Sequence, residues 1–191
     1  MTPERLLQIA WGAWVLSWLA AAWWSNRTER RASWQHERRY RITTAVGAVL
    51  LFGVHPPWPP LDTPLWRPGV DAAWVIVFVA IFGFAFTWWA RITLGRLWSG
   101  NVTRKTGHFI VTTGPYALVR HPIYTGLLLA VLATALMRAT VLTFIGAAVF
   151  GLGLFIKARV EERFLRSELG EDGYRDYAQR VPMLVPFTHR L

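Results

Sequence analysis

The sequence predicts an all-α integral membrane protein with about five transmembrane helices, a helical hairpin formed by spans four and five, and a C-terminal tail on the cytosolic side. Three observations carry this. Of the 191 residues, 53% are hydrophobic and 12 are Trp, far more apolar and aromatic content than a soluble domain of this size carries. The apolar residues come in runs close to membrane length, and about 20 such residues make a spanning helix. The 21 basic residues fall in bursts between those runs.

The runs set the spans at about 6–24, 42–54, 72–90, 123–137 and 139–156. The first begins after Arg5 alone and lacks a clean small-residue cleavage site, so it reads as a retained span rather than a signal peptide. The second is short and is stopped by "HPPWPP" at 55–60, because proline cannot continue a helix interior. The third is an unbroken apolar run. The fourth and fifth are separated only by Arg138, which implies a tight hairpin. The segment 163–180 reads as a cytosolic amphipathic helix or helix pair broken at Gly170–Gly173. Its Phe164, Leu165, Leu169, Tyr174 and Tyr177 are placed to pack inward, and "VPMLVP" at 181–186 reads as an extended cover.

The basic residues test the span count. Six lie in 25–41, five in 91–122 and seven from 157 onward, against three (Arg5, Arg67 and Arg138) in the alternate segments. The positive-inside rule then places the N-terminus outside and the C-terminus in the cytoplasm, with a bacterial inner membrane as the expected location. The segment 25–41 reads as a solvated loop that touches anionic membrane lipid. The net charge of +10 is spread along the chain rather than gathered into one patch, so no nucleic-acid partner is expected. The chain has no cysteine, which excludes disulfides, thiolate nucleophiles and cysteine-based metal sites; no metal is expected.

Acidic residues are scarce. None lies between Asp71 and Glu161, and the pair Glu161–Glu162 follows directly on the fifth span. Adjacent helical residues point about 100° apart, so one carboxylate can face the bundle and the other an arginine. Carboxylates near a helix C-terminus gain nothing from the macrodipole. The second concentration of chemistry is "GPYALVRHPIYTG" at 114–126. Gly114–Pro115 reads as a turn. Pro122 fits the first turn of a helix and pushes His121 out of helical geometry. Arg120 and His121 then stand beside free backbone N–H groups, a natural place for an anion. Tyr124 offers a phenol or a stacking face, and Gly126 lets something approach the backbone closely. Taken singly, each has an ordinary explanation as an anchor or belt residue.

At this point the sequence resembles the isoprenylcysteine carboxyl methyltransferase family and, more broadly, the membrane methyltransferases that include phospholipid N-methyltransferases. The pattern is Arg-His-Pro-x-Tyr-x-Gly, a hydrophobic stretch, then Glu-Glu, met here by Arg120, His121, Pro122, Tyr124, Gly126, Glu161 and Glu162. His108 in "KTGHFIVTTGPY" also matches, as do "GYRDYAQRVP" and "PF" downstream. The resemblance covers about 95–187, while residues 1–90 match only as generic apolar spans. It implies a single membrane methyltransferase domain over 1–191, with its cofactor-binding half at about 95–187. The implied cofactor is S-adenosyl-L-methionine, held by His108, Tyr116, Arg120, His121, Pro122, Tyr124, Gly126, Glu161 and Glu162. Arg120, His121 and Glu162 are the implied catalytic residues.

The implied reaction is methyl transfer to a lipophilic acceptor from the bilayer, foremost a carboxylate such as an isoprenylcysteine or another lipid acid. A carboxylate acceptor is ionised at neutral pH and needs no base; an amine, as in a phospholipid N-methyltransferase, makes His121 or Glu162 a candidate base. Two further readings stand beside these. An NADPH-dependent sterol reductase shares a similar Arg-His-Pro-x-Tyr segment, and a non-enzymatic membrane protein shares only the topology. Oligomeric state is not readable.

Overall fold

A computed structural model describes residues 1–24, 28–31, 34–53, 58–99, 103–105, 110–169 and 171–188. Among the described residues the main elements are six α-helices: α1 (Pro3–Ala20), α2 (Trp34–Phe52), α3 (Val70–Leu94), α4 (Pro122–Arg138), α5 (Val141–Leu169) and α6 (Glu171–Arg180). Among the described residues, three helical stretches are long and apolar enough to cross a membrane: Pro3–Trp23, Val70–Leu97 and Val141–Ser167. Pro122–Arg138 is a shorter apolar helix. The chain is a multi-pass integral membrane protein, and large apolar side chains such as Leu16, Phe78 and Phe82 stand outward on its helices.

The expected hairpin forms. Two residues connect α4 and α5. Ala139 takes a left-handed conformation at φ 52° and its N–H bonds to Ala135 O, closing α4. Thr140 Oγ1 then accepts from Thr143 N–H at 3.1 Å, capping the start of α5 in the manner expected of a threonine at a helix N-terminus.

α2 packs on α5 and α3 on α4 as the broadest contacts, α4 also meets α5 and α1 meets α3, and Trp11 of α1 reaches across to Phe52 of α2 at 5.1 Å. Helices in lipid gain little from the hydrophobic effect on meeting, so close packing of small residues matters more. Gly83 and Gly126 supply it between α3 and α4. A Cβ on Gly83 would stand 2.5 Å from Gly126 O, and one on Gly126 would strike Gly83 O and lie 2.7 Å from Thr87 Cγ2. Gly126, expected to serve the cofactor, has α3 in the space its missing side chain leaves.

Two further departures concern the segments expected as loops. Residues 34–41 are the first turns of α2, with Glu37 and Tyr40 buried. Glu37 is held there by Arg41 one turn on, at 2.7 Å, so the polar stretch continues the helix rather than ending it. A short antiparallel ribbon pairs β1 (Thr28–Arg31) with β2 (Thr103–Lys105), Arg30 opposite Arg104. It joins the two basic segments that follow α1 and α3.

Candidate active site

The sequence around the start of α4 folds as its prolines dictate. Gly114 has φ 57° and opens a 3₁₀ turn over Gly114–Ala117. His121 has non-helical angles of φ −125° and ψ 63°, and Pro122 follows at the first helical position. This holds Arg120 and His121 at the helix mouth, pointing toward the last third of α5.

There they meet the two glutamates. Arg120 Nε donates to Glu162 Oε1 at 2.7 Å, and His121 Nε2 lies 3.2 Å from the same oxygen. His121 Nδ1 lies 3.6 Å from Glu161 Oε2, so one imidazole bridges both carboxylates. Tyr124 Oη donates to Glu161 Oε1 at 2.6 Å, and the Tyr124 and His121 rings stack with centroids 5.3 Å apart. Lys157, one turn before Glu161, brings its Nζ to 3.9 Å from Glu161 Oε1. Burial alone pushes the His121 imidazole down. The Glu161 and Glu162 carboxylates outweigh that and hold its pKa above the ordinary histidine value.

The C-terminal tail is strapped across this cluster. Arg120 Nη1 donates to Ala178 O and Val181 O at 2.9 and 2.6 Å. The N–H groups of Arg120 and His121 donate to Pro182 O and Met183 O. Thr125 Oγ1 donates to Leu184 O at 2.6 Å, and Tyr177 Oη to Tyr116 O at 2.7 Å. The stretch 181–184 is therefore an extended strap over the motif, anchored mainly through its own carbonyls. Burial raises the pKa values of Tyr174 and Tyr177 and keeps both phenols neutral.

A cavity of about 260 Å³ opens between the cluster and the rest of the bundle, close to the lower end of the size range of small-molecule sites. Tyr116, Arg120, His121, Pro122, Tyr124 and Glu161 all line it. Glu162, expected among the reacting groups, does not line it. It is 2% exposed and sits behind Arg120 and His121. The two adjacent glutamates point in different directions, as the helical 100° step requires, and Glu161 is the one that reaches the cavity. His108 lies outside the described residues. Phe164, Leu165, Tyr174 and Tyr177 line the cavity from above.

The opposite wall was not legible in the motif. It is built by Trp14 and Trp18 of α1, by Leu94 at the end of α3 and by Leu97 and Trp98 beyond it. Trp14 Nε1 donates to Thr87 Oγ1 at 2.7 Å, Trp18 stacks on Trp14 at 4.9 Å, and Trp98 meets Trp18 edge-on at 5.6 Å. Arg91, 1% exposed, fixes this wall from behind. It donates to Ala21 O, Trp24 O and Gly95 O, and its guanidinium lies 4.5 Å from the Trp98 ring centroid. Counted as a topogenic charge in the sequence, Arg91 is a buried staple between the ends of α1 and α3.

Among the described residues, a bundle of membrane helices thus carries a pocket in which a mixed cluster of carboxylates and cations faces an aromatic wall, the arrangement of a membrane enzyme or receptor that binds an amphipathic ligand. The pattern of the isoprenylcysteine carboxyl methyltransferase family matches residues 74–167. A probable protein-S-isoprenylcysteine O-methyltransferase of Oryza sativa subsp. indica is 31% identical over 135 residues, covering 66% of this chain and 70% of that protein. The chain belongs to this family. Methanethiol S-methyltransferase 1 of Bradyrhizobium diazoefficiens is 30% identical over 175 residues, covering 86% of this chain and 58% of that protein. The cobalt-zinc-cadmium resistance protein CzcN of Cupriavidus metallidurans is 33% identical over 147 residues, 76% of this chain and 60% of that protein. The chain thus spans about three fifths of the length of these last two relatives.

Proposed function

We propose that the protein transfers a methyl group from S-adenosyl-L-methionine to a lipophilic acceptor reaching the cavity from the membrane, foremost a carboxylate. The observation that carries this is the meeting of Arg120, His121, Tyr124 and Glu161 on one cavity wall, across from the tryptophans of α1 and α3. Membership of the family supports the reaction class.

The donor set suits the cofactor. Its amino-acid end carries both an ammonium and a carboxylate, and the polar end of the cavity offers both a carboxylate and cations. Its adenine and cationic centre suit aromatic faces, which Tyr124 and Trp98 provide. When bound, the cofactor supplies a methyl group on a positively charged sulfur, already an excellent leaving group. The protein's own contribution is then alignment and exclusion of water. Glu161 and Tyr124 present a fixed oxygen pair to the cavity. Glu162 holds Arg120 and His121 in position from behind, and Arg120 pins the strap that closes the cavity on the water side. The pocket is cytoplasmic-facing on the charge pattern of the chain.

A carboxylate acceptor leaves no proton to remove. A thiol acceptor is the second reading, and the likeness to methanethiol S-methyltransferase 1 over 86% of the chain favours it.

The test is a radiolabelled methyl-transfer assay on the detergent-purified full chain, offered native membrane lipid extract, N-acetyl-S-farnesylcysteine and methanethiol in parallel. Label moving to a base-labile ester supports the carboxylate reading, and label moving to dimethyl sulfide supports the thiol reading. No transfer to any of the three contradicts the proposal.

A further inference from the structure

The cavity wall is supported by a residue of α2, a helix that carries none of the motifs. Tyr40 is buried against Val160 of α5, with Ile156 and Phe164 around it. It lies outside residues 74–167, which carry the family pattern, and it does not line the cavity. Its ring centroid stands 5.6 Å from Lys157 Nζ, and the Tyr124 ring centroid stands 5.3 Å from the same atom. Two aromatic faces, from α2 and α4, thus share one ammonium. Lys157 lines the cavity one helical turn before Glu161.

Tyr40 is set in place by the packing of α2 on α5. A Cβ on Gly153 would strike Thr44 Oγ1, one on Gly47 would strike the backbone nitrogen of Phe150, and one on Gly146 would stand 2.6 Å from Leu51 N. Glycines let two membrane helices approach to backbone contact. Thr44 lies one turn after Tyr40 and Gly153 one turn before Lys157, so this contact sets the ring beside the ammonium. Arg41, paired with buried Glu37 at 2.7 Å, brings its guanidinium to 6.0 Å from the Tyr40 ring centroid. The Tyr40 hydroxyl is buried and has no hydrogen-bond partner among the described residues, so the ring is what Tyr40 contributes.

The ammonium stops short of the carboxylate. Lys157 Nζ lies 3.9 Å from Glu161 Oε1, an ion pair beyond the roughly 2.7–3.2 Å of a hydrogen bond. Tyr124 Oη reaches the same oxygen at 2.6 Å. An ammonium free to move closes on a carboxylate, because the attraction grows as the distance falls. Held back by the rings, Lys157 supports the negative charge of Glu161 without taking the place of a ligand's donor.

We propose that Tyr40 is a positioning residue for the cofactor: it holds Lys157 out of hydrogen-bond contact with Glu161 and so leaves that carboxylate open to the cofactor's donors. This rests on the methyltransferase reading above and adds to the site a residue of α2. Tyr40 acts through Lys157, without touching the cofactor or the acceptor.

Two measurements on the full chain in detergent micelles test this, and the first needs no ligand. The chain has two lysines, Lys105 and Lys157, so nuclear magnetic resonance of selectively carbon-13-labelled lysine gives a short spectrum, which Lys105→Arg assigns. Aromatic faces shield the nuclei above them. The Lys157 side-chain signals are expected upfield of free lysine in the wild type, to stay there in Tyr40→Phe and to move toward free lysine in Tyr40→Leu. The second measurement is calorimetry with S-adenosylhomocysteine. Tyr40→Leu is expected to weaken its affinity about fivefold or more, and Tyr40→Phe to keep it. In a Lys157→Met background the same Tyr40→Leu change is expected to alter affinity less than twofold, because the residue through which it acts is gone.

An equal loss in both backgrounds, as a merely structural role would give, overturns the proposal. So does a loss with Tyr40→Phe, no loss with Tyr40→Leu, or a Lys157 signal that Tyr40→Leu leaves unmoved. Unshifted Lys157 signals in the wild type overturn it without any variant. Wild-type protein whose Lys157 signals are shifted but which binds no S-adenosylhomocysteine overturns the methyltransferase reading instead.

Discussion

Arg120 and Glu162 lie 42 residues apart in sequence and 2.7 Å apart in space, Nε to Oε1, with their side chains 11% and 3% exposed. The pair ties the mouth of α4 to the last third of α5, and through Nη1 Arg120 also holds the strap at Ala178 and Val181. Removing one member of a buried pair leaves the other uncompensated, at about 3–5 kcal/mol. Glu162→Gln should therefore destabilise the protein by about 3 kcal/mol, read as a lowered thermal midpoint in detergent micelles. A midpoint equal to wild type would mean the pair is not closed in the folded protein.

His121 gives the cluster a pH dependence of definite sign. It faces Glu161 and Glu162 on α5 and stands beside Arg120 and Tyr124, and its folded pKa is raised above the ordinary value by the two carboxylates once they outweigh burial. A raised folded value means protonation favours the folded state. The stabilisation is complete below the unfolded histidine pKa of about 6.5 and is lost as pH rises through the folded value. Thermal midpoints taken at increasing pH should fall across that window, and His121→Asn should flatten the profile. A midpoint that rises with pH in the wild type but not in the variant would contradict the charge assignment.

Gly126 separates a packing role from a ligand role. A Cβ there meets a backbone carbonyl of α3, which cannot swing away. Gly126→Ala should cost about 1–3 kcal/mol, the usual range for overpacking, while leaving S-adenosylhomocysteine affinity unchanged below the unfolding transition. A selective loss of affinity with normal stability would return Gly126 to the cavity.

Arg91 should control the order of the aromatic wall. Arg91→Met removes three hydrogen bonds to the carbonyls of Ala21, Trp24 and Gly95. Amide hydrogen exchange should accelerate by tenfold or more over the end of α1 and over 95–99, with α4 and α5 unaffected. Unchanged exchange in the first two segments would show that apolar packing alone holds α1.

The site was legible in the sequence where residue type and spacing left one economical arrangement. Pro122 forces His121 out of the helix, and the scarcity of acids singles out Glu161–Glu162, so their convergence could be expected. The strap followed from the two prolines that forbid a helix over 181–186. What the sequence hid were residues with two equally good uses. A glycine permits the approach of either a ligand or a helix, and Gly126 serves the helix. Adjacent glutamates differ only by rotation, and which faces the cavity depends on the packing angle of α5. Arg91 and Lys157 looked like members of the positive-inside pattern, because charge counting does not distinguish a solvated cation from a buried one. Trp14 and Trp18 sit in a run of apolar residues with no polar neighbour to mark them. The helical start of α2 was hidden for the opposite reason: its charges suggested a loop, and only the Glu37–Arg41 pair shows why a helix tolerates them.

The central claim is that Glu161, presented to the cavity by Tyr124 and His121, holds a nucleoside cofactor. Glu161 is 19% exposed, so its replacement by Gln perturbs folding less than the Glu162 change does. Isothermal titration calorimetry of S-adenosylhomocysteine into the purified full chain tests it directly. Wild-type protein should bind, and Glu161→Gln should show at least a tenfold weaker affinity at near-normal thermal stability. Equal affinity in the two proteins would contradict it.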